Sequence, residues 1–220
     1  DRLKLPLRAL QVPQHVFVRY EADGKIINIE TTHEGRPFSN EQVIEHLNIP
    51  VDSVRTGAYL RPLTKREFLG VLLNNRGGVH YGEKRFAEAL RDFDKAIEIH
   101  PQSAETYHNR GVVYKVKRQH AKALLDFERA LLLNPSYAGA YANRGDIFAF
   151  AGQYQRALTN YDTAARLDPD DGRVYYMRAR VHALEARKRE TLRDLSRAIE
   201  LDPSLKARAR AEPCFRFWHG

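Results

Sequence analysis

A period of 34 residues constrains this chain more than any other feature. The segments NNRGGVHY, HNRGVVYK and ANRGDIFA place Gly77, Gly111 and Gly145 at that interval, and YMRARVHA puts Ala179 in the same place. Further along each unit stand Ala89, Ala123, Ala157 and Thr191, then Phe93, Phe127, Tyr161 and Leu195, then Ala96, Ala130, Ala164 and Ala198. Every unit closes on a proline: Pro101, Pro135, Pro169 and Pro203. One such unit cannot bury its apolar face alone, so the units must stack. The small residues let two antiparallel helices approach closely, and the neighbouring aromatics fill the space between hairpins. The prolines stop the second helix, because the ring lacks an N–H and clashes with the preceding turn. Four hairpins are expected at 70–103, 104–137, 138–171 and 172–205.

Leu73, Tyr107, Tyr141 and Tyr175 recur on the first helices, at helical spacing from His80, Tyr114, Phe148 and His182. The two histidines replace an aromatic in that pattern and are read as core or shelf residues, not metal ligands. Together these positions resemble the tetratricopeptide repeat. The resemblance implies a mainly α fold, an α-α superhelix whose first helices line a concave groove for a protein or peptide partner. Helical spacing then selects Asn74, Gly78 and Tyr81; His108, Val112 and Lys115; Ala142, Asp146 and Ala149; and Tyr176, Arg180 and Ala183 as groove positions. Tyr81 and Tyr176 are the expected anchors. Asn75, Asn109 and Asn143 recur beside the groove. Either they hydrogen-bond the backbone of an extended peptide or they form a repeated bond between hairpins. Arg76, Arg110, Arg144 and Arg178 also recur, and are read as architectural. The groove subtype that grips the C-terminal carboxylate of heat-shock chaperones needs lysine and asparagine on its first groove helix. The corresponding places hold Asn74 and Gly78, or His108 and Val112, so neither frame reproduces that clamp.

Residues 1–63 have a different pattern. HVFVRYEADGKIINIETT contains two β-rich runs around Asp23–Gly24, a strong hairpin signal. Pairing Tyr20 with Lys25 sets His15 opposite Glu30, and a two-residue loop makes them diagonal neighbours. A three-residue loop separates them onto opposite faces. LPLRAL, VPQHVFVRY and NIETT resemble the latter half of the transglutaminase-like, papain-type cysteine hydrolase core, an α+β domain. That resemblance implies a catalytic His15 and Glu30 as the remnant of a triad, with the nucleophilic cysteine upstream of Asp1. The alternative to a binding scaffold is therefore a thiol hydrolase or transamidase. Ser39 with Gln42, and Thr64 with Glu67, form capping boxes, the second opening a helix that runs into the first hairpin. The domain expectation is a partial transglutaminase-like domain with connecting segment at 1–63, repeats over 64–205 and a tail at 206–220. The aromatics of that tail fold back on the last repeat, form a free binding motif, or belong to a displaced or foreign end.

The bulk numbers favour binding over chemistry. One cysteine, Cys214, allows neither an internal disulfide nor a CxxC metal pair. No metal or cofactor is expected. The net charge of +8 arises from basic residues scattered among 28 acidic ones, which argues against a specific nucleic-acid site. No run approaches the roughly 18 apolar residues of a membrane span. No signal peptide is evident, and the expected location is cytoplasmic. The chain begins at Asp1 and its sole methionine is Met177, so a missing N-terminus is expected. The oligomeric state is left open.

Overall fold

Helical hairpins dominate the computed structural model, which describes residues 7–12, 15–22, 25–30, 37–46 and 63–216. Two compact units divide the chain, Asp1–Val113 with Arg129–Ser136 and Tyr114–Glu128 with Tyr137–Gly220.

Strands β1 (Leu7–Val12), β2 (His15–Ala22), β3 (Lys25–Glu30) and β4 (Pro37–Phe38) pair antiparallel in chain order. Ala22 pairs with Lys25 and Phe17 with Glu30, so the connection at 23–24 is the two-residue one. In this register the backbone positions of His15 and Glu30 are diagonal. Their side chains, and with them the expected catalytic pair, lie outside the described residues. Helix α1 (Asn40–His46) follows a reciprocal cap. The Gln42 N–H donates to Ser39 Oγ at 3.2 Å, and the Ser39 N–H donates to Gln42 Oε1 at 2.8 Å.

Helix α2 (Lys65–Gly82) starts on the same device, with Glu67 N–H on Thr64 Oγ1 at 3.2 Å and Thr64 N–H on Glu67 Oε2 at 2.8 Å. It turns back into α3 (Phe86–Ile99). The next helices are α4 (Ala104–Val116), α5 (His120–Leu133), α6 (Ala138–Phe150), α7 (Tyr154–Leu167), α8 (Gly172–Leu184) and α9 (Lys188–Leu201). Each turn inside a hairpin uses one left-handed residue: Lys84, Arg118, Gly152 and Ala186, with φ of 60°, 58°, 71° and 59°. These residues are also 34 apart. The left-handed residue lets the following N–H reach back to the end of the first helix. Arg85, Gln119, Gln153 and Arg187 donate to the carbonyls of His80, Tyr114, Phe148 and His182 at 2.8 to 2.9 Å.

Close approach inside a hairpin has a measurable cause. A Cβ on Gly77 would stand 2.7 Å from Phe93 Cε1, and one on Gly145 would stand 2.8 Å from Tyr161 Cε1. Aromatic rings on the second helix therefore require glycine on the first. The fourth hairpin exchanges both partners, setting Ala179 and Leu195 in one buried cluster. The third hairpin buries Tyr161, Ala157 and Ala164, and its second helix meets Val174 and Val181 of α8 through Leu158 and Ala165. Full burial of each large apolar side chain contributes about 1.5–3 kcal/mol.

The recurring arginines belong to this architecture. Arg76 forks onto both carboxylate oxygens of Asp92 at 2.7 Å, and Arg178 onto those of Asp194 at 2.5 and 2.9 Å. Arg144 Nε donates to Asn160 Oδ1 at 2.7 Å. Arg178 also reaches Asp162 at 2.9 Å, and Arg110 reaches Asp94 at 2.7 Å, each on the preceding hairpin's second helix. His80 and His182 stand 3.5 and 3.7 Å from the same aspartates that Arg76 and Arg178 hold. The chain then forms α10 (Leu205–Ala211) and a short 3-10 turn (Pro213–Phe215), which buries Phe215.

Candidate functional site

An apolar cleft of about 310 Å³ lies between α6 and α8. Ile147, Ala149 and Phe150 come from α6; Met177, Arg180, Val181 and Leu184 come from α8; Lys115, His120 and Tyr161 complete the lining with Asp146. Phe150 is 71% exposed and Leu184 54%, although both are large apolar side chains. They occupy the last turn of their helices and are one repeat apart. Val116 holds the same place in α4 and is also exposed. The His120 ring packs against Phe150 with centroids 5.0 Å apart.

One wall of the cleft is polar and largely self-satisfied. Asp146 is its hub. Lys115 Nζ from α4 and Arg173 Nη2 from α8 both reach Asp146 Oδ2 at 2.7 Å, and the Tyr161 O–H donates to Oδ1 at 3.0 Å. Burial raises the Tyr161 phenol far above its ordinary range, and the Asp146 charge adds to that effect. The phenol therefore stays protonated and keeps donating. Two cations share one carboxylate, leaving the wall with excess positive charge.

The asparagines join hairpins. Asn109 Nδ2 donates to Asn74 Oδ1 at 3.0 Å, and Lys115 Nζ donates to Asn143 Oδ1 at 2.5 Å. Asn74 and Asn143 are both buried. Asn75 accepts from Asn74 Nδ2 at 3.4 Å, and His108 Nδ1 lies 3.3 Å from Asn109 Oδ1. Of the two roles expected for Asn75, Asn109 and Asn143, the bond between hairpins is the one that Asn109 and Asn143 make here, to Asn74 and Lys115. Tyr81 is half-buried, tilted against Phe86 with centroids 6.0 Å apart, and flanks the Ala89–Phe93–Val113 core.

Tyr176 requires a correction. It is 0% exposed, so it cannot be an open groove anchor. Phe215 meets its ring edge-on at 5.6 Å, and Glu212 takes its hydroxyl at 3.4 Å. Arg180 does line the cleft, while its Nε pairs with Glu212 Oε1 at 3.3 Å. Phe150 and Leu184 are absent from the groove that helical spacing selects, which favours the positions one residue before them, Ala149 and Ala183. The signal that could reveal them is a row of apolar residues at 34-residue spacing with no packing partner assigned.

Among the described residues no group of three metal-ligating side chains converges, and no helix is long and apolar enough to cross a membrane.

The tetratricopeptide repeat family matches at residues 71–103 and 104–137, and a further tetratricopeptide match covers residues 145–184. Solved structures share the fold. MamA from Desulfovibrio magneticus RS-1, from residue 41 to its end, is 19% identical with a TM-score of 0.58, over 67% of this chain and 82% of that one. Another MamA crystal structure is 18% identical with a TM-score of 0.56, over 76% and 91%. The first tetratricopeptide domain of Spaghetti (RPAP3), bound to the HSP90 peptide SRMEEVD, is 22% identical with a TM-score of 0.52, over 55% and 95%. No curated protein matches. None of these matches is to a transglutaminase-like domain, so that expectation for residues 1–63 gains no support from them. The spacing, the hairpin geometry and the family matches converge on one conclusion: residues 71–137 and 145–184 carry tetratricopeptide repeats.

Proposed function

We propose that this protein-interaction scaffold takes a segment of a protein partner in the α6–α8 cleft, without catalysing a reaction. The carrying observation is the exposure of Phe150 and Leu184 on either side of a cleft with an apolar floor. A scaffold that leaves two large apolar side chains largely in water forgoes, for each, about half or more of the roughly 1.5–3 kcal/mol that full burial gives. A partner that covers them recovers it. The cleft is at the small end for a ligand pocket, so it suits one or two apolar side chains of a peptide or helix. The polar wall supplies Lys115 and Arg180 at its rim, which favours a segment with an acidic residue beside its apolar anchor. Asn75, Tyr81 and His108 stand on the first two hairpins as candidates for further contact.

Capture of partners from extract by the wild-type chain and by Phe150→Asp and Leu184→Asp tests this reading. Both changes alter exposed positions, so the fold should persist while partner recovery falls by at least tenfold. Unchanged recovery by both variants would refute the cleft as the binding site.

A further inference from the structure

One face of α8 holds a second seat, which the chain fills with residues 212–215. After α10 ends, residues 212–215 double back over α8. Phe215 is buried edge-on against Tyr176, with ring planes at 80°. Glu212 accepts the Tyr176 hydroxyl at 3.4 Å and pairs with Arg180 at 3.3 Å, while the Arg208 guanidinium lies 5.0 Å over the Tyr176 ring.

Three observations separate this seat from simple end-capping. Tyr176 and Arg180 are one repeat beyond Ala142 and Asp146, and Asp146 forms the polar wall of the cleft. Arg180 serves both places, lining the cleft and holding Glu212. The seat also reads two side-chain features of the tail, a carboxylate and an aromatic ring three residues later. Its polar contacts are long, 3.3 Å to Arg180 and 3.4 Å to Tyr176, so a competing segment that brings its own carboxylate replaces them at little loss.

We infer that this surface is a peptide-binding site for segments carrying a carboxylate followed three residues later by an aromatic ring, with residues 212–215 as its resident intramolecular ligand. Tethering gives the tail an effective concentration in the millimolar range, so a partner must outbind it or be held by the neighbouring cleft as well. Release of the tail frees Arg180 for a carboxylate at the edge of that cleft.

The probe is a labelled peptide of this chain's own residues 208–216 carrying Cys214→Ser. It is titrated into the full wild-type chain and into a full chain carrying Glu212→Lys with Phe215→Ala. The altered chain should bind the peptide at least tenfold tighter than wild type, and adding Arg180→Glu should abolish that binding. Equal affinity for both chains overturns the inference, as does no binding by an altered chain with unchanged helical circular dichroism. If the double change costs helix, Glu212→Lys alone, which removes no buried apolar group, takes its place under the same criteria. A wild-type dimer at high concentration that Phe215→Ala dissolves supports the same seat, filled by a second copy's tail. Phe150→Asp should leave the peptide affinity unchanged, so failure of the cleft and failure of the seat give different results.

Discussion

Gly145→Ala should destabilise the chain although alanine is the better helix former. The new methyl would lie 2.8, 3.0 and 3.2 Å from Tyr161 Cε1, Cδ1 and Cζ. The ring has nowhere to move. Tyr161 is fully buried and its hydroxyl is tied to Asp146, which also holds Lys115 and Arg173. Overpacking of this kind costs about 1–3 kcal/mol, and loosening a hydrogen bond to a charged acceptor adds about 1.5 kcal/mol. Helix propensity returns at most about 1 kcal/mol. The net loss is about 2 kcal/mol, a fall in Tm of roughly 4–8 °C for a chain of this size. Gly78→Ala is the matched control. Its Cβ would meet nothing within 4 Å, so only the propensity remains and stability should rise by about 0.5–1 kcal/mol. Urea and thermal unfolding followed by circular dichroism measure both. A Gly145→Ala chain as stable as Gly78→Ala would refute the close-packing account. Tyr161→Leu added to Gly145→Ala recreates the Ala179–Leu195 pairing and should show favourable coupling in a double-mutant cycle.

Ala186 is left-handed at φ 59°, so Ala186→Gly should stabilise by about 0.5–1 kcal/mol, read as a higher Tm; a lower Tm would contradict the turn assignment. Asp194→Ala strips a buried carboxylate from half-buried Arg178 and should cost about 3 kcal/mol in denaturant unfolding. Burial holds the His182 imidazole below its ordinary pKa, so the folded state resists a proton that the unfolded chain accepts. The stability it permits is complete above about pH 6.5 and declines as pH falls below that value. His182→Phe, which copies Phe148 of the third hairpin, should flatten the dependence between about pH 5 and 7 in unfolding titrations.

The hairpins are legible because their spacing repeats four times, and steric needs such as Gly77 opposite Phe93 leave a trace at both ends of the pair. Left-handed turn residues are harder to see. Lys84, Arg118 and Ala186 carry no glycine signal, and only Gly152 advertises the conformation. The arginines can be read as architectural from recurrence alone, whereas the asparagines cannot, since repetition serves a fold and a ligand equally. Asn109 on Asn74 shows the bond between hairpins through a distance. Tyr176 looks like a groove anchor in the sequence because its burial depends on Phe215, which lies outside the repeat and whose return path has no periodic signature. Phe150 and Leu184 stay hidden because helical spacing alone places the groove one residue earlier.

Met177 offers the most direct test of cleft binding. It is the chain's only methionine and lines the cleft, so a methyl-labelled sample gives one methionine resonance at the proposed site. Titration with a partner segment recovered by the wild-type chain should shift that resonance saturably, with the same Kd as direct binding. Full binding with an unshifted Met177 methyl would place the partner elsewhere and contradict the account.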